Sequence, residues 1–528
     1  MQNVQIGKEA DPAYDEIIEK IRGGQIKNKQ QLEKVKTRLA KKYGLMRLPK
    51  NAELIEFAND SEISILLRTK PVRTLSGVAN ISVMWLPGDY KESCPAKCVY
   101  CPQGKQLDAK GVISFVPKSY TGTEPTTMRA TMFHFDPHLQ VGNRIRQFHI
   151  LGHQTDKCEL IIMGGTFMAW QKEKREAFVK GCFDAFNGCE SPSLEEAQRI
   201  NETSSNRCVG LTIETRADFC KPQDMLYLGC TRVEIGVQST DDNILKMIKR
   251  GHNAQKNKDA FATLREAGLK VCAHWMPGLT GLYGKIDIEK EIQGFKELFE
   301  NPDYRPDELK IYPVWVIEDT ELHEMWKRGE YEALTAEKAA ELIIELKKLV
   351  PKYVRIKKMM RDISHHQVKS GPAVTNLRQL IRMDMKKRGL RCMCIRCREA
   401  GLLKKESDME PQDIGLQVTE YDASGGQELF LGFEDAKQDI LMGFLRLRMD
   451  ESTTARIREL HVYGEMAGIG KAGTVQHSGY GKKLLAKAEE IARSNGKTKM
   501  QVTSGVGARE YYRKLGYQKE GFYMTKEL

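Results

Sequence analysis

Residues 232–278 read RVEIGVQSTDDNILKMIKRGHNAQKNKDAFATLREAGLKVCAHWMPG. A Val/Ile-rich run at 232–239 is followed by two stretches with apolar residues at helical spacing, DDNILKMIKRG and KDAFATLREAG. A second apolar run, 269–278, closes on Pro-Gly. Strand, helical crossover and strand in one short piece predict a parallel β-α-β unit, because parallel neighbours need a connection of a dozen or more residues. The same texture extends in both directions: ISVMW at 81–85, LIIMGG at 160–165, VGLTIET at 209–215 and LKIYPVWVI at 309–317. About six such units predict an α/β partial barrel of the TIM type, short of the closed eight. Working residues of such folds sit at the C-terminal ends of the strands, which is where Gly164, Gly165, Glu214 and Gln238 fall.

From about Gly415 the pattern changes to the alternation of antiparallel strands (LQVTEYDA, QELFLGFED, DILMGFLRLRM, ARIRELHVYG). A helix, a strand, a short helix and a last strand follow, which predicts a separate α+β domain. The first 60 residues read as two Lys-rich helices, each ending at glycine. The expected division is a basic helical region over 1–64, the barrel over 65–350, a basic linker over 351–411 and the α+β domain over 412–528.

Hydrophobic residues make up 41% of the 528, which excludes disorder or a fibrous repeat as a description of the whole. No apolar run approaches the ~18–20 residues of a membrane span. The start of the chain lacks the basic and apolar regions of a secretory signal, so a cytoplasmic location is expected. The net charge of +12 is concentrated. Residues 1–50 carry twelve Lys/Arg against six Asp/Glu, and residues 351–405 carry sixteen against three. Clustered cations neutralise phosphates and release counterions, so the partner class is a polyanion.

Six of the 13 cysteines form two tight groups. The other seven (Cys158, Cys182, Cys189, Cys208, Cys220, Cys230, Cys272) are expected to be buried as small hydrophobes. Cys94-x3-Cys98-x2-Cys101 lies in the loop after the first barrel strand. Three thiolates at this spacing can hold three corners of a 4Fe-4S cluster and leave one iron free to chelate S-adenosylmethionine. Structural zinc wants four protein ligands, and no fourth lies close in sequence. The loop resembles the cluster motif of the radical SAM superfamily. That resemblance makes Tyr100 the aromatic beside the adenine and Gly164-Gly165 the glycine pair beside the SAM amino group.

Gln476-His477-Ser478-Gly479-Tyr480-Gly481 lies between a strand and the helix KKLLAKAEEIA. Glycines there let backbone N–H groups approach a pyrophosphate at a helix N-terminus. The form Q-x-x-G-x-G in an α+β domain resembles the acetyl-CoA loop of GNAT N-acetyltransferases, and SGVGAREYYRKLGY resembles their last helix. A tyrosine there can protonate the departing thiolate, with Tyr512 favoured over Tyr511. The third feature is Cys392-x-Cys394-x2-Cys397, inside the most basic stretch. It reads as a structural zinc site with a fourth ligand from elsewhere, His365 or His366, and a second iron–sulfur cluster as the alternative. Its expected role is to pin the junction between the two domains.

The pairing of these two domains, with KPVRTLSGVANISVM, YTGTEPTTMRA, MGGTFMA, GLTIETRADFC, EIGVQS, RELHVYG and QHSGYG, resembles the Elongator catalytic-subunit family of tRNA wobble-uridine acetyltransferases. The likeness covers residues ~65 to 528. It implies that SAM cleavage gives a 5′-deoxyadenosyl radical, which takes a hydrogen from the methyl of acetyl-CoA. The carbon radical adds to the wobble uracil, and thioester hydrolysis leaves a 5-carboxymethyl group. It also implies the anticodon stem-loop of tRNA and Elongator-type accessory subunits as partners. Carried over residue by residue, acetyl-CoA contacts fall on Lys157, Glu459, Leu460, His461, Val462, Tyr480, Gly481, Lys482 and Tyr512, beside Gln476 and Gly479 of the glycine loop. Two departures stand out. Glu318-Asp319 replaces the family's usual Arg-Gly, and the first cysteine gap is the short superfamily spacing. The rival reading is a protein lysine acetyltransferase, which leaves the cysteine loop and the basic stretches without a task.

Overall fold

The computed structural model describes residues 11–58, 60–69, 71–86, 93–107, 113–374, 376–407, 409–463 and 479–528. Its centre is a seven-stranded, wholly parallel sheet in sequential order: β1 (Ala79–Met84), β2 (Lys157–Met163), β3 (Arg207–Thr215), β4 (Arg232–Gln238), β5 (Lys270–Trp275), β6 (Glu308–Ile311) and β7 (Arg355–Lys358). The sheet curls into a half-barrel, one strand beyond the six units read from the sequence. That seventh strand, RIKK, lies inside the stretch expected to be a linker. Its only buried residue is Ile356, so it carries no apolar run that marks it as a strand.

Alternation along each strand sends two kinds of side chain to two places. On β4, Val233, Ile235 and Val237 are fully buried in the main apolar core under the crossover helices. The intervening Arg232, Glu234, Gly236 and Gln238 face the barrel interior, where a closed barrel would carry branched apolar residues. The crossover helices start at capping side chains, as at Asn253, whose Oδ1 accepts from Lys256 N at 3.0 Å. Of the seven scattered cysteines, five are buried as expected, but Cys220 is half-buried and Cys189 is exposed.

The N-terminal region is four helices rather than two: Asp11–Arg22, Lys29–Lys42, Asn51–Ala58 and Ser61–Leu67. They enclose a small core of their own around Ile17, Leu32 and Leu54. They dock on the barrel through Arg68, whose Nε donates to Gly152 O at 3.1 Å.

The C-terminal sheet runs β8 (Ile414–Ala423), β9 (Gly426–Asp435), β10 (Ile440–Met449), β11 (Thr454–Val462), β12 (Lys499–Val502), β13 (Gln518–Glu520) and β14 (Tyr523–Glu527), in the order β8-β9-β10-β11-β12-β14-β13. All pairs are antiparallel except β11 with β12. Those two pair only from Thr454–Lys499 to Ile457–Val502. β11 then runs on to Val462 without β12, so the sheet splays open there.

The two domains are clamped by buried charge. Arg458 meets Asp307 of the barrel through two hydrogen bonds (2.8 and 2.6 Å) and Glu428 of its own domain at 2.8 Å. Arg446 reaches the carbonyls of Asp307 (3.2 Å) and Tyr353 (2.7 Å). All four of these charged side chains are fully buried. A buried ion left without its partner costs about 3–5 kcal/mol, so the cluster locks the docking geometry. Backbone closes the rest: a Cβ on Gly505 would lie 2.1 Å from Val209 O, and one on Gly507 would lie 2.5 Å from Arg207 Cβ. Only glycine lets this loop approach β3 so closely.

Candidate active site

The C-terminal ends of the barrel strands surround a cavity lined by Cys94, Tyr100, Cys101, Gly165, Glu214 and Gln238, among others. Each cysteine thiol of the loop is buried and in reach of a donor. Cys94 Sγ accepts from Thr166 Oγ1 at 3.2 Å, Cys101 Sγ lies 3.0 Å from Ser119 Oγ, and Cys98 Sγ is 3.7 Å from Arg250 Nη1. Burial and the neighbouring Cys98 push the Cys101 thiol up to about 12. The three sulfurs are not drawn within 4.8 Å of one another, as a single ion would require, whereas a cluster with its own sulfides holds its ligands further apart. Several buried polar atoms of the lining have no hydrogen-bond partner: Tyr100 Oη, Thr215 Oγ1, Glu234 Oε1 and Gln238 Oε1. Such atoms cost stability unless a ligand satisfies them, so the donor set fits a cluster with a polar ligand beside it.

The backbone explains the glycine pair. Gly164 (φ 125°) and Gly165 (φ 91°) are in the left-handed region, and a Cβ would lie 2.9 Å from Trp85 O at the first and 2.9 Å from Ser93 O at the second. Gln238 also takes a positive φ, 70°, which turns the end of β4 into the cavity. Glu214 accepts from Tyr120 Oη (2.8 Å) and Lys310 Nζ (3.4 Å), and Lys310 also pairs with Glu234, which His274 Nε2 meets at 3.1 Å. Arg250 was not singled out from sequence. Its guanidinium donates to Gly236 O at 2.6 Å, and it occupies the space of an absent side chain, since a Cβ on Gly236 would lie 2.4 Å from Arg250 Nη2 and displace it. The signal that could have found it is an arginine behind a glycine in the middle of a strand.

The second site lies at the other end of the same strands. Two adjoining cavities sit where β11 and β12 splay against the N-terminal ends of β2 to β5. Lys157, Val209, Leu460, Val462, Ala508 and Tyr512 line both. Glu459, His461, Arg232 and Lys270 line one; Gly479, Tyr480, Gly481, Lys482 and Tyr511 line the other. The structure therefore brings together every residue carried over for acetyl-CoA among the described residues; Gln476 lies outside them. Lys157 is half-buried, and that burial pulls its ammonium down. Burial opposes ionisation of Glu459, but Lys270 and Arg446 outweigh it and hold the carboxyl at about 2. His461, lowered by burial, bonds Ser76 O through Nε2 at 2.9 Å. Tyr512 is buried and raised by that burial, while Tyr511 is 37% exposed and raised to about 12. Their rings meet edge to face at 5.2 Å. Lys270, Arg232, Thr503 and Ser504 were not singled out from sequence; Arg232 and Lys270 are cross-strand partners that only docking of the domains sets beside Glu459 and Thr503.

Cys392, Cys394 and Cys397 present sulfurs within 4.8 Å of one another. His365 and His366, offered as a fourth ligand, are both exposed and stand outside the group. The three cysteines sit at the junction: Ile395 N donates to Val354 O at 2.9 Å, and Arg398 pairs with Glu434 of β9. The Glu318-Asp319 departure also takes shape here. Glu318 pairs with Lys369 at 2.8 Å, and Asp319 adopts φ 60°, a left-handed position that favours glycine.

Comparisons with known proteins agree with this layout. Family models match for the ELP3 N-terminal domain (residues 11–75), the radical SAM superfamily (91–285), the radical SAM C-terminal domain (306–387) and the acetyltransferase (GNAT) family (400–517). The chain is 48% identical to the tRNA uridine(34) acetyltransferase of Methanocaldococcus infernus, covering 97% of this chain and 98% of that one. It is 41% identical to human Elongator complex protein 3, covering 94% and 93%. The solved structure of M. infernus Elp3 lacking residues 1–46 superposes with a TM-score of 0.74 at 45% identity, covering 86% of this chain and all of that one. No helix among the described residues is long and apolar enough to cross a membrane.

Proposed function

The chain belongs to the family that joins the archaeal tRNA uridine(34) acetyltransferases to Elongator complex protein 3, and from that premise we propose that it carboxymethylates C5 of the wobble uridine of tRNA, with acetyl-CoA as the two-carbon donor. One observation carries the reading: four neighbouring strands, β2 to β5, line the cysteine-bearing cavity with their C-terminal ends and the GNAT cavity with their N-terminal ends. When bound, a 4Fe-4S cluster and SAM supply a carbon-centred radical in the first, and acetyl-CoA supplies the methyl carbon from the second.

The residues divide the remaining work. Cys94, Cys98 and Cys101 hold the cluster, with Tyr100, Gly164, Gly165, Glu214 and Gln238 around SAM. Gly479 to Lys482 present backbone N–H groups at the start of the helix Tyr480–Ser494 to the CoA pyrophosphate. Lys157 and Glu459 to Val462 hold the thioester end. Tyr512, kept protonated by its burial, gives its proton to the departing thiolate. Cys392, Cys394 and Cys397 hold a structural Zn2+ whose fourth ligand is neither His365 nor His366. The basic segments 1–64 and 351–411 take the tRNA backbone, beside accessory subunits of the Elongator kind, in the cytoplasm.

The test is anaerobic full-length protein with tRNA, SAM, acetyl-CoA and a reductant. The expected result is tRNA-dependent loss of acetyl-CoA, and 5-carboxymethyluridine by mass spectrometry once the cluster is reduced. Acetylation of added proteins at a comparable rate, with tRNA inert, would replace this reading by the lysine acetyltransferase.

A further inference from the structure

The two cavities share four strands and no lining residue. Their separation can be counted along the chain. On β4, Arg232 lines the lower cavity and Glu234 the upper; they are successive inward positions, about 7 Å apart. On β5, Cys272 stands between Lys270 below and His274 above, and on β3 Thr212 stands between Gly210 below and Glu214 above. One layer of side chains divides the sites.

That layer is charged. Arg232 pairs with Glu159 and with Glu308 (3.2 Å), and Lys357 lies 3.6 Å from Glu159 and 3.4 Å from Glu308. Each cation thus faces both carboxylates. Either can swing onto one of them without leaving a buried charge unpaired, the outcome that makes such ions immobile elsewhere. On the β3 side the layer is thin, with Gly210 lacking a side chain and Thr212 small. The outer faces of the same strands are sealed, since Leu160, Ile162, Leu211, Ile213, Val233, Ile235 and Val271 are all fully or almost fully buried in the apolar core. Glu234 and His274 approach Cys272 as metal ligands would, but the Lys310 ammonium already pairs with Glu234 where a cation would sit. The other carboxylate oxygen, Glu234 Oε1, is buried with no hydrogen-bond partner and can accept an amide N–H.

We infer that the barrel interior is the passage by which the acetylated end of the pantetheine arm crosses from the lower cavity to the upper one, moving past the ion-paired layer of Glu159, Arg232, Glu308 and Lys357. The amides and thioester carbonyl of the arm match a polar passage and would be stranded in an apolar one. The inference rests on the reading above that the donor binds below and the radical forms above.

The test uses bromoacetyl-CoA, whose CH2Br replaces the acetyl methyl. A thiol that it reaches forms an S–C bond as bromide leaves and the thiol proton goes to solvent. The full-length protein should acquire a covalent adduct on Cys272, identified by peptide mass spectrometry. Thr212→Ser, which keeps the hydroxyl that donates to Glu159 at 3.0 Å, should label like the parent, whereas Thr212→Met, which fills the thin side of the layer, should label at least tenfold less. A parallel measurement follows deuterium from trideuteroacetyl-CoA into 5′-deoxyadenosine. It should also fall at least tenfold in Thr212→Met, with CoA affinity and thermal melting retained as proof of folding. Adducts confined to lower-cavity residues, or equal labelling and equal deuterium transfer in Thr212→Met, would overturn the passage. Absence of hydrolysis and of deuterium transfer in the parent protein would instead sink the proposed function, with Cys272 labelling still deciding the passage.

Discussion

The two cysteine groups look alike in sequence and differ in their surroundings in the fold. Cys94 and Cys101 line a cavity that carries orphaned polar atoms, with Cys98 beside them against Arg250. Cys392, Cys394 and Cys397 are packed within 4.8 Å of one another, between β7 and the C-terminal sheet, next to a buried arginine–glutamate pair. Spacing says that each group can hold a metal. What surrounds the sulfurs says whether the metal has a free side for chemistry or is enclosed as a rivet.

The largest expected effect is on the first group. Cys98→Ala should abolish 5-carboxymethyluridine and drop iron from about four per chain to near zero, with melting little changed. If melting collapsed with the iron, the contrast would fail. Cys394→Ala should do the reverse, retaining iron while losing more than about 4 kcal/mol of stability, as read by denaturant unfolding. Tyr512→Phe should slow tRNA-dependent thioester hydrolysis about 10²-fold by quench-flow and leave both metal counts intact, which separates acid catalysis below from radical chemistry above. Acid sharpens the junction. Glu459 has its carboxyl depressed from 4.5 to about 2, so its contribution is fully present above pH 4.5 and lost as pH falls through about 2. Calorimetry across that window should show Glu459→Gln with a shallower acid dependence than the parent. Smallest of all, Asp319→Gly should shift stability by less than about 1 kcal/mol, since relief of the left-handed backbone is offset by a looser unfolded chain.

Much of the fold was legible because its signals are local. The outward Val233-Ile235-Val237 pattern marks β4, and the cysteine loop and the Gly164-Gly165 turn announce themselves by spacing. β7 was not legible: RIKK turns polar residues into the barrel and leaves Ile356 as its only buried anchor. The lower cavity was half legible. Tyr480, Gly481 and Tyr512 belong to motifs of one domain, whereas Arg232 and Lys270 join them only because β11 splays and docks beneath another sheet. Arg250 was hidden for a related reason, since its place is set by the notch at Gly236 and not by any pattern around Arg250 itself.

The clamp at Asp307 has a consequence for how this architecture can be handled. Arg446 and Arg458 are neutralised across the boundary, and Gly505 nests against a barrel carbonyl. Cut free, residues 412–528 would keep Glu428 and Glu459 beside these two guanidiniums but lose Asp307, and would expose the group on a surface shaped for another sheet. The acetyltransferase half is therefore not a portable module: expressed alone, it should be insoluble or collapse into a different packing, and a chimaera with a foreign barrel would need Asp307, Val209 and their backbone neighbours transplanted with it.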